Sequence, residues 1–327
     1  MKITIVCIQK HEENYINEWL DHHINLGVDH IFICDNNESS YENKISDFIN
    51  DKFNDKISII NYNDVFPIQL KAYNDIYNKY KNEYDWFIFI DIDEFIFIPE
   101  TNNDIKLFLS QKKFDNYQSI SIGWLIYDDN DNVYYENKPL KERFTRYINP
   151  NKFTHCKSIT RGKINSNIGI SAHIAHNCNR CLYNGTEFNS NDINIPTDNY
   201  LNVCYIKHFM YKSIEEHCNK LIKGGANLGS SYSITRFNPY NFFIRNKKTD
   251  EKIAVIKKYE NQIIKQQNET IIKHLEHLIY KTKNRLKINE YNNIKSIHDE
   301  LKSIYDEITY IYENFILNNK LNINKYE

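Results

Sequence analysis

The chain of 327 residues is 41% hydrophobic and 26% charged, enough for one large or two modest globular domains and unlike a disordered or fibrous protein. Lysine and arginine total 41 against 43 aspartate and glutamate, a formal net charge of -2 that gives no global signal for nucleic acid or a polybasic membrane contact. Only 8 glycines occur and the first is Gly27, so neither a Walker loop nor a dinucleotide fingerprint follows the first strand, and phosphate chemistry must use a metal and side chains.

Ile3–Ile8 is too short for the apolar region of an export signal and reads as a first strand. The strongest later apolar run, Trp86–Ile90, is broken by Asp91, so no membrane span is expected. Seven scattered cysteines without a secretory pattern predict reduced thiols and a cytoplasmic location. A helix over 12–26, a strand over 30–34, a helix over 41–51, a strand over 57–60 and a helix over 69–81 then lead into Trp86–Ile90. This alternation predicts an α/β fold with a mainly parallel sheet, whose ligands bind beyond the carboxyl ends of the strands. Those ends read Gln9-Lys10, Asp35-Asn36, Asn61 to Asp64 and Asp91-Ile92-Asp93-Glu94. After about residue 115 come irregular strands and loops, then a strand near 203–209 and a helix over 213–223.

From about Lys247 the chain is helical, giving an expected catalytic domain of 1–245 and a helical extension of 246–327. Ile294, Ile297, Leu301, Ile304, Ile308, Ile311 and Phe315 form a heptad stripe, which serves either a seam within the chain or a homodimer.

Asp91-Ile92-Asp93 ends the most hydrophobic strand. At strand spacing both carboxylates face one way and can share Mg²⁺ or Mn²⁺, with substrate phosphates completing the shell. The alternative is a strand end or cap that carries aspartate without a metal. Lys157 and Arg161 fall on one face if their segment is a strand, where they grip a diphosphate or form a salt-bridged surface. Trp124 stacks on a sugar or packs in the core. Gly224, Gly225 and Gly229 make either a helix cap or a closing loop. His173, His176, Cys178 and Cys181 include four zinc-type ligands, but no second pair follows at finger spacing.

Four ordered blocks carry a family resemblance: Lys10 to Leu20 with His23 and Leu26 to His30; Phe32 to Asn36; Trp86 with Asp91 to Phe95; and Ile206 to Phe209 with Lys212 to Glu216. Together they resemble the glycosyltransferase-2-like and family 92 glycosyltransferases over about residues 2–225, with the tail after about 245 outside the resemblance. His11 stands where the family usually has asparagine, and Phe209 where it often has tyrosine.

The resemblance implies a GT-A fold and sugar transfer from a nucleotide-diphosphate donor, a UDP-sugar, to a glycan or other hydroxyl acceptor, with inversion. It implies ribose or metal contact by Asp91, metal coordination by Asp93 and His208, and donor contacts from Gln9, Lys10, Asp35 and Lys212. Lys157 and Arg161 join the expected donor site, and Trp124 the acceptor site. Asp128, Asp129, Glu94 and His173 are the candidates for the base, among which the sequence does not choose. A nucleotidyltransferase and a non-catalytic glycan-binding protein are the rival readings.

Overall fold

A computed structural model of the chain describes residues 1–150, 152–164, 168–188, 190–224, 238–287, 302 and 306. Its first compact unit comprises residues 1–132 and 136–212; the second comprises 133–135 and the chain from Ser213 onward.

The first unit opens with β1 (Ile3–Gln9), α1 (Ile16–Asn25), β2 (His30–Asp35), β3 (Ile57–Asn61), α2 (Gln69–Tyr80), β4 (Trp86–Phe89) and β5 (Glu94–Phe97). It continues with α3 (Ile105–Leu109), β6 (Ser119–Ile126), α4 (Leu140–Arg143), β7 (Phe153–Arg161) and a hairpin of β8 (Gly169–Ile170) and β9 (Ala175–His176). Then come β10 (Arg180–Leu182), β11 (Asn194–Pro196), α5 (Tyr200–Val203) and β12 (Tyr205–His208). The main sheet runs β3-β2-β1-β4-β7-β6-β12-β5, with β10 beside β6 and β11 beside β7. Its first four strands are parallel, as are β6, β10 and β12; β7 is antiparallel to β4 and β6, and β5 to β12.

Every residue of β1 and β4 is buried, the pattern of central strands covered on both faces. In α1, Ile16, Trp19, Leu20 and His23 turn inward at helical spacing, and the Trp19 indole N–H donates to the Glu94 carbonyl at 2.8 Å. On α2 the inward residues are Gln69, Ala72, Tyr73, Ile76 and Tyr77. No described helix is long and apolar enough to cross a membrane.

One expectation fails here. The helix expected over 41–51 is replaced by two 3₁₀ turns, Ile45–Asp47 and Asp51–Phe53. The Asn50 side chain accepts from the Lys52 N–H, and the Asn50 N–H donates to the Asn17 side chain, so local side-chain bonds take the place of the helical ladder. The strands expected among loops after 115 include β6 and β7, which lie inside the main sheet.

In the second unit, α6 (Ile214–Lys223) starts at a capping box: Ser213 Oγ accepts from the Glu216 N–H, and the Glu216 carboxylate accepts from the Ser213 N–H. Gly224, at φ +73°, ends it as a cap. Gly225 and Gly229 lie outside the described residues, as does the whole stripe from Ile294 to Phe315. Residues 133–135 join this unit because Glu215 takes the Val133 carbonyl through its N–H and the Tyr135 N–H through its carboxylate. The long helix α7 (Asp250–Lys287) packs on α6 within this unit.

Candidate active site

The apolar strand β4 runs out at Asp91, and the chain turns at once. Glu94 N–H donates to the Asp91 carbonyl at 3.1 Å, while Asp91 N–H donates to Glu94 Oε2 at 3.0 Å. The expected extended face shared by Asp91 and Asp93 is therefore absent: the turn sends one carboxylate toward β7 and the other toward β12. Asp91 Oδ2 meets Lys157 Nζ at 2.7 Å, and its Oδ1 accepts from the Tyr73 hydroxyl at 3.4 Å. Lys157 Nζ also lies 3.5 Å from Glu94 Oε2.

Lys157 is 2% exposed and Glu94 is 0% exposed, so neither is a surface charge. Burial lowers the affinity of the Lys157 amine for its proton, but Asp91 and Glu94 outweigh it and hold the ammonium above its ordinary range. Glu94 is pushed up, first by burial and then by Asp91 and Asp93, with Lys157 opposing. The expected grip of Lys157 on a donor diphosphate gives way to a buried counter-ion for two carboxyl groups, because β7 places its amine beneath the turn.

Asp93 faces the other way. Its Oδ1 lies 3.5 Å from His208 Nε2 at the end of β12, and its Oδ2 lies 3.9 Å from Lys212 Nζ. Lys212 also approaches Glu12 Oε2 at 3.7 Å and sits 4.3 Å over the Tyr15 ring. The His208 ring packs against Trp124, with centroids 4.4 Å apart. A separation of 3.5 Å is long for a hydrogen bond but matches two ligands of one ion with metal–ligand distances of about 2.1 Å. Nearby, Glu94 Oε1 is a buried carboxyl oxygen with no hydrogen bond, 3.9 Å from His208 Nδ1. Asp93 and His208 are thus spaced as two ligands of one divalent cation would be. Among the described residues no three His, Cys, Asp or Glu side chains are grouped to hold a metal by themselves.

A second polar cluster caps β1 and β2. The Gln9 amide donates to Asp35 Oδ1, which also accepts from the Asn37 N–H at 3.0 Å. Lys10 Nζ pairs with Glu38 Oε1 at 2.7 Å, and His11 Nε2 lies 2.9 Å from Glu38 Oε2. His11 adopts φ +50°, held there by its N–H donating to Asn37 Oδ1, and its ring stacks on Tyr41 at 4.0 Å. Gln9, Lys10 and Asp35 are brought together as expected from the strand ends.

A family model for glycosyltransferase family 92 matches residues 2–305. This chain belongs to glycosyltransferase family 92. It is a glycosyltransferase, and the match extends well past residue 225, so the stretch from about 245 to 305, expected to lie outside the resemblance, falls within the family's span. No curated protein matches the sequence. Among solved structures, S. aureus TarS 1–349 is similar at 13% identity and TM-score 0.32, covering 92% of this chain and 91% of that one. The CTP complex of CMP:2-keto-3-deoxy-manno-octonic acid synthetase, at 12% and TM-score 0.28, covers 49% of this chain and 74% of its own. A putative glucose-1-phosphate thymidylyltransferase from Bacillus anthracis, at 10% and 0.27, covers 49% and 69%.

Other expected residues of the transferase are dispersed. Arg161 shares a strand face with Lys157 but lies four residues, about 13 Å, along β7. There it stacks on Trp86 at the start of β4 and donates to the Phe114 and Tyr117 carbonyls, which separates it from the acidic turn. Asp128 accepts from Arg146 Nε at 3.2 Å, and the fully buried Asp129 accepts from the Asp131 N–H. His173 packs on Trp124 at 5.3 Å. The four zinc-type residues do not converge: His173 is engaged by the Cys156 carbonyl and Cys178 Sγ by that of Ala175, while Cys181 is buried in β10. Glu12, Glu38, Tyr73 and His155, which packs on Trp124 at 5.5 Å, were not anticipated. Only Glu12 and Glu38 carried a usable signal, since they directly follow the carboxyl ends of β1 and β2.

Proposed function

We propose that this glycosyltransferase moves a sugar from a UDP-sugar to a carbohydrate hydroxyl with inversion, using Mg²⁺ or Mn²⁺ held by Asp93 and His208. The observation that carries this reading is the pairing of an oxygen and a nitrogen ligand at 3.5 Å beyond the carboxyl ends of the sheet. The ion, when bound, supplies Lewis-acid stabilisation to the departing diphosphate.

The chain's own groups do the rest. Lys212 brings a second positive charge to the same point, held by Glu12 and the Tyr15 ring. Asp91, with 38% of its side chain exposed, keeps an accessible carboxylate for the donor ribose, and Lys157 fixes that carboxylate from beneath. Gln9 and Lys10 with Asp35 receive the nucleoside at the ends of β1 and β2. Fixed charges of this kind contribute most where charge develops in the transition state, and removing one costs on the order of 10²- to 10³-fold in rate.

Calorimetric titration of UDP, GDP and CMP with and without Mn²⁺ tests the site. UDP is expected to bind about tenfold tighter with Mn²⁺, and Asp93→Asn to abolish that gain while leaving the Mn²⁺-free affinity in place. Equal UDP binding in the presence and absence of Mn²⁺ overturns the metal assignment; preference for another nucleotide overturns the donor.

A further inference from the structure

We propose that His173 is the general base that removes the proton from the attacking hydroxyl, an assignment that rests on the transfer reading above. Of the four candidates, Glu94 is fully buried under the acidic turn and Asp129 is fully buried on its own loop. Asp128 is engaged by the Asn130 N–H at 2.7 Å and by Arg146 at both oxygens. An acceptor hydroxyl has no open path to the first two, and the third is neutralised by a guanidinium.

His173 differs in exposure and in geometry. It is half-buried in a turn where the Ser171 N–H donates to the Ile174 carbonyl and Ser171 Oγ accepts from the Ile174 N–H. Its Nδ1 lies 3.0 Å from the Cys156 carbonyl oxygen. A carbonyl only accepts, so Nδ1 carries the proton and Nε2 keeps its lone pair. The ring meets one edge of Trp124 at 5.3 Å, and the same indole contacts His208 at 4.4 Å. The same indole therefore touches both the proposed base and the proposed metal ligand. The Trp124 indole N–H is buried and has no hydrogen-bond partner, which leaves a donor at this wall.

The charged and titratable groups that act on His173 are Lys157, Asp91 and His155. Burial first, and then Lys157, hold the imidazole down to about 4, so the ring is neutral at pH 7 and Nε2 is unprotonated. In the step, the acceptor O–H proton passes to Nε2 as the oxygen bonds to the anomeric carbon. The bond from that carbon to the diphosphate oxygen breaks, and its electron pair leaves with the diphosphate. The imidazolium then returns its proton to water.

The test uses the full chain with UDP-glucose, UDP-galactose and UDP-N-acetylglucosamine in Mn²⁺, reading UDP release to water. His173→Gln and His173→Ala are expected to lower kcat by about 10²- to 10⁴-fold with the donor KM little changed, and added imidazole to restore part of the rate of His173→Ala. Long-range ¹H–¹⁵N spectra at pH 7, with His173 assigned by its absence in His173→Gln, are expected to show the neutral Nδ1–H tautomer whether or not any donor turns over. Rates within about threefold of wild type in both variants, or an Nε2–H or charged ring at pH 7, overturn the assignment. Wild type that releases UDP from none of the three donors, with the Nδ1–H tautomer present, overturns the transfer reading with these donors and with it the catalytic role, while the ring geometry stands.

Discussion

Two charged clusters crown the same sheet, and water treats them differently. At the ends of β1 and β2, Lys10 and Glu38 pair with 16% and 40% of their side chains exposed. At the end of β4, Lys157 is 2% exposed and answers two carboxyl groups, one of them wholly buried. An exposed pair is worth about 0–1 kcal/mol because solvent already stabilises each charge. A buried pair has given up that solvation, so each member depends on the other, and removing one leaves a charge with neither partner nor water. The first cluster is therefore suited to exchanging its partners for a ligand, and the second to holding its carboxylates in one geometry.

Breaking the buried cluster should have the larger effect. Lys157→Met is expected to lower unfolding stability by about 3–5 kcal/mol, measured by urea titration. A loss under 1 kcal/mol would place Lys157 among ordinary surface charges.

Burial without a counter-ion gives an intermediate effect, and His22 supplies it. Burial lowers this imidazole to about 4 against its Nε2 contact with the Ile96 carbonyl at 2.7 Å. Between about pH 6.5 and 4 the unfolded chain binds a proton here that the folded chain refuses, so stability falls as pH falls through that window. Between pH 7 and pH 5 the group should contribute a loss of about 2 kcal/mol. His23 and His173 are lowered in the same direction. Urea titrations of wild type and His22→Gln at both pH values should show the variant with the shallower dependence, and parallel slopes would contradict the burial argument.

The smallest change belongs to the part-exposed cluster. Lys10→Met should alter stability by less than about 1 kcal/mol, yet weaken UDP binding in calorimetry. Unchanged UDP affinity would remove Lys10 from the donor site.

The parallel half of the fold was legible because β1, β2 and β4 are continuous apolar runs and α2 keeps a clean helical stripe. Their carboxyl ends placed Gln9, Lys10, Asp35 and Asp93 at one edge of the sheet, while the roles expected of them came from the family resemblance. The pairing of Lys157 with Asp91 was not legible, since it joins residues 66 positions apart through the β4–β7 alignment. Period-2 reasoning correctly gave Lys157 and Arg161 one face but could not say that the antiparallel course of β7 carries Arg161 to the opposite end of β4. The turn at Asp91–Asp93 was hidden for another reason: Phe95-Ile96-Phe97 is as apolar as a continued strand, and only the pairing of this segment with β12 reveals the reversal.

Release of UDP from the three UDP-sugars in Mn²⁺, compared between wild type and Asp93→Asn of matched circular dichroism, bears most directly on the proposed transfer chemistry. The structure's pairing of Asp93 with His208 predicts donor-dependent release by wild type and a fall of about 10²- to 10³-fold in the variant. Release that is equal in both proteins, or unaffected by removing Mn²⁺ with a chelator, would contradict it.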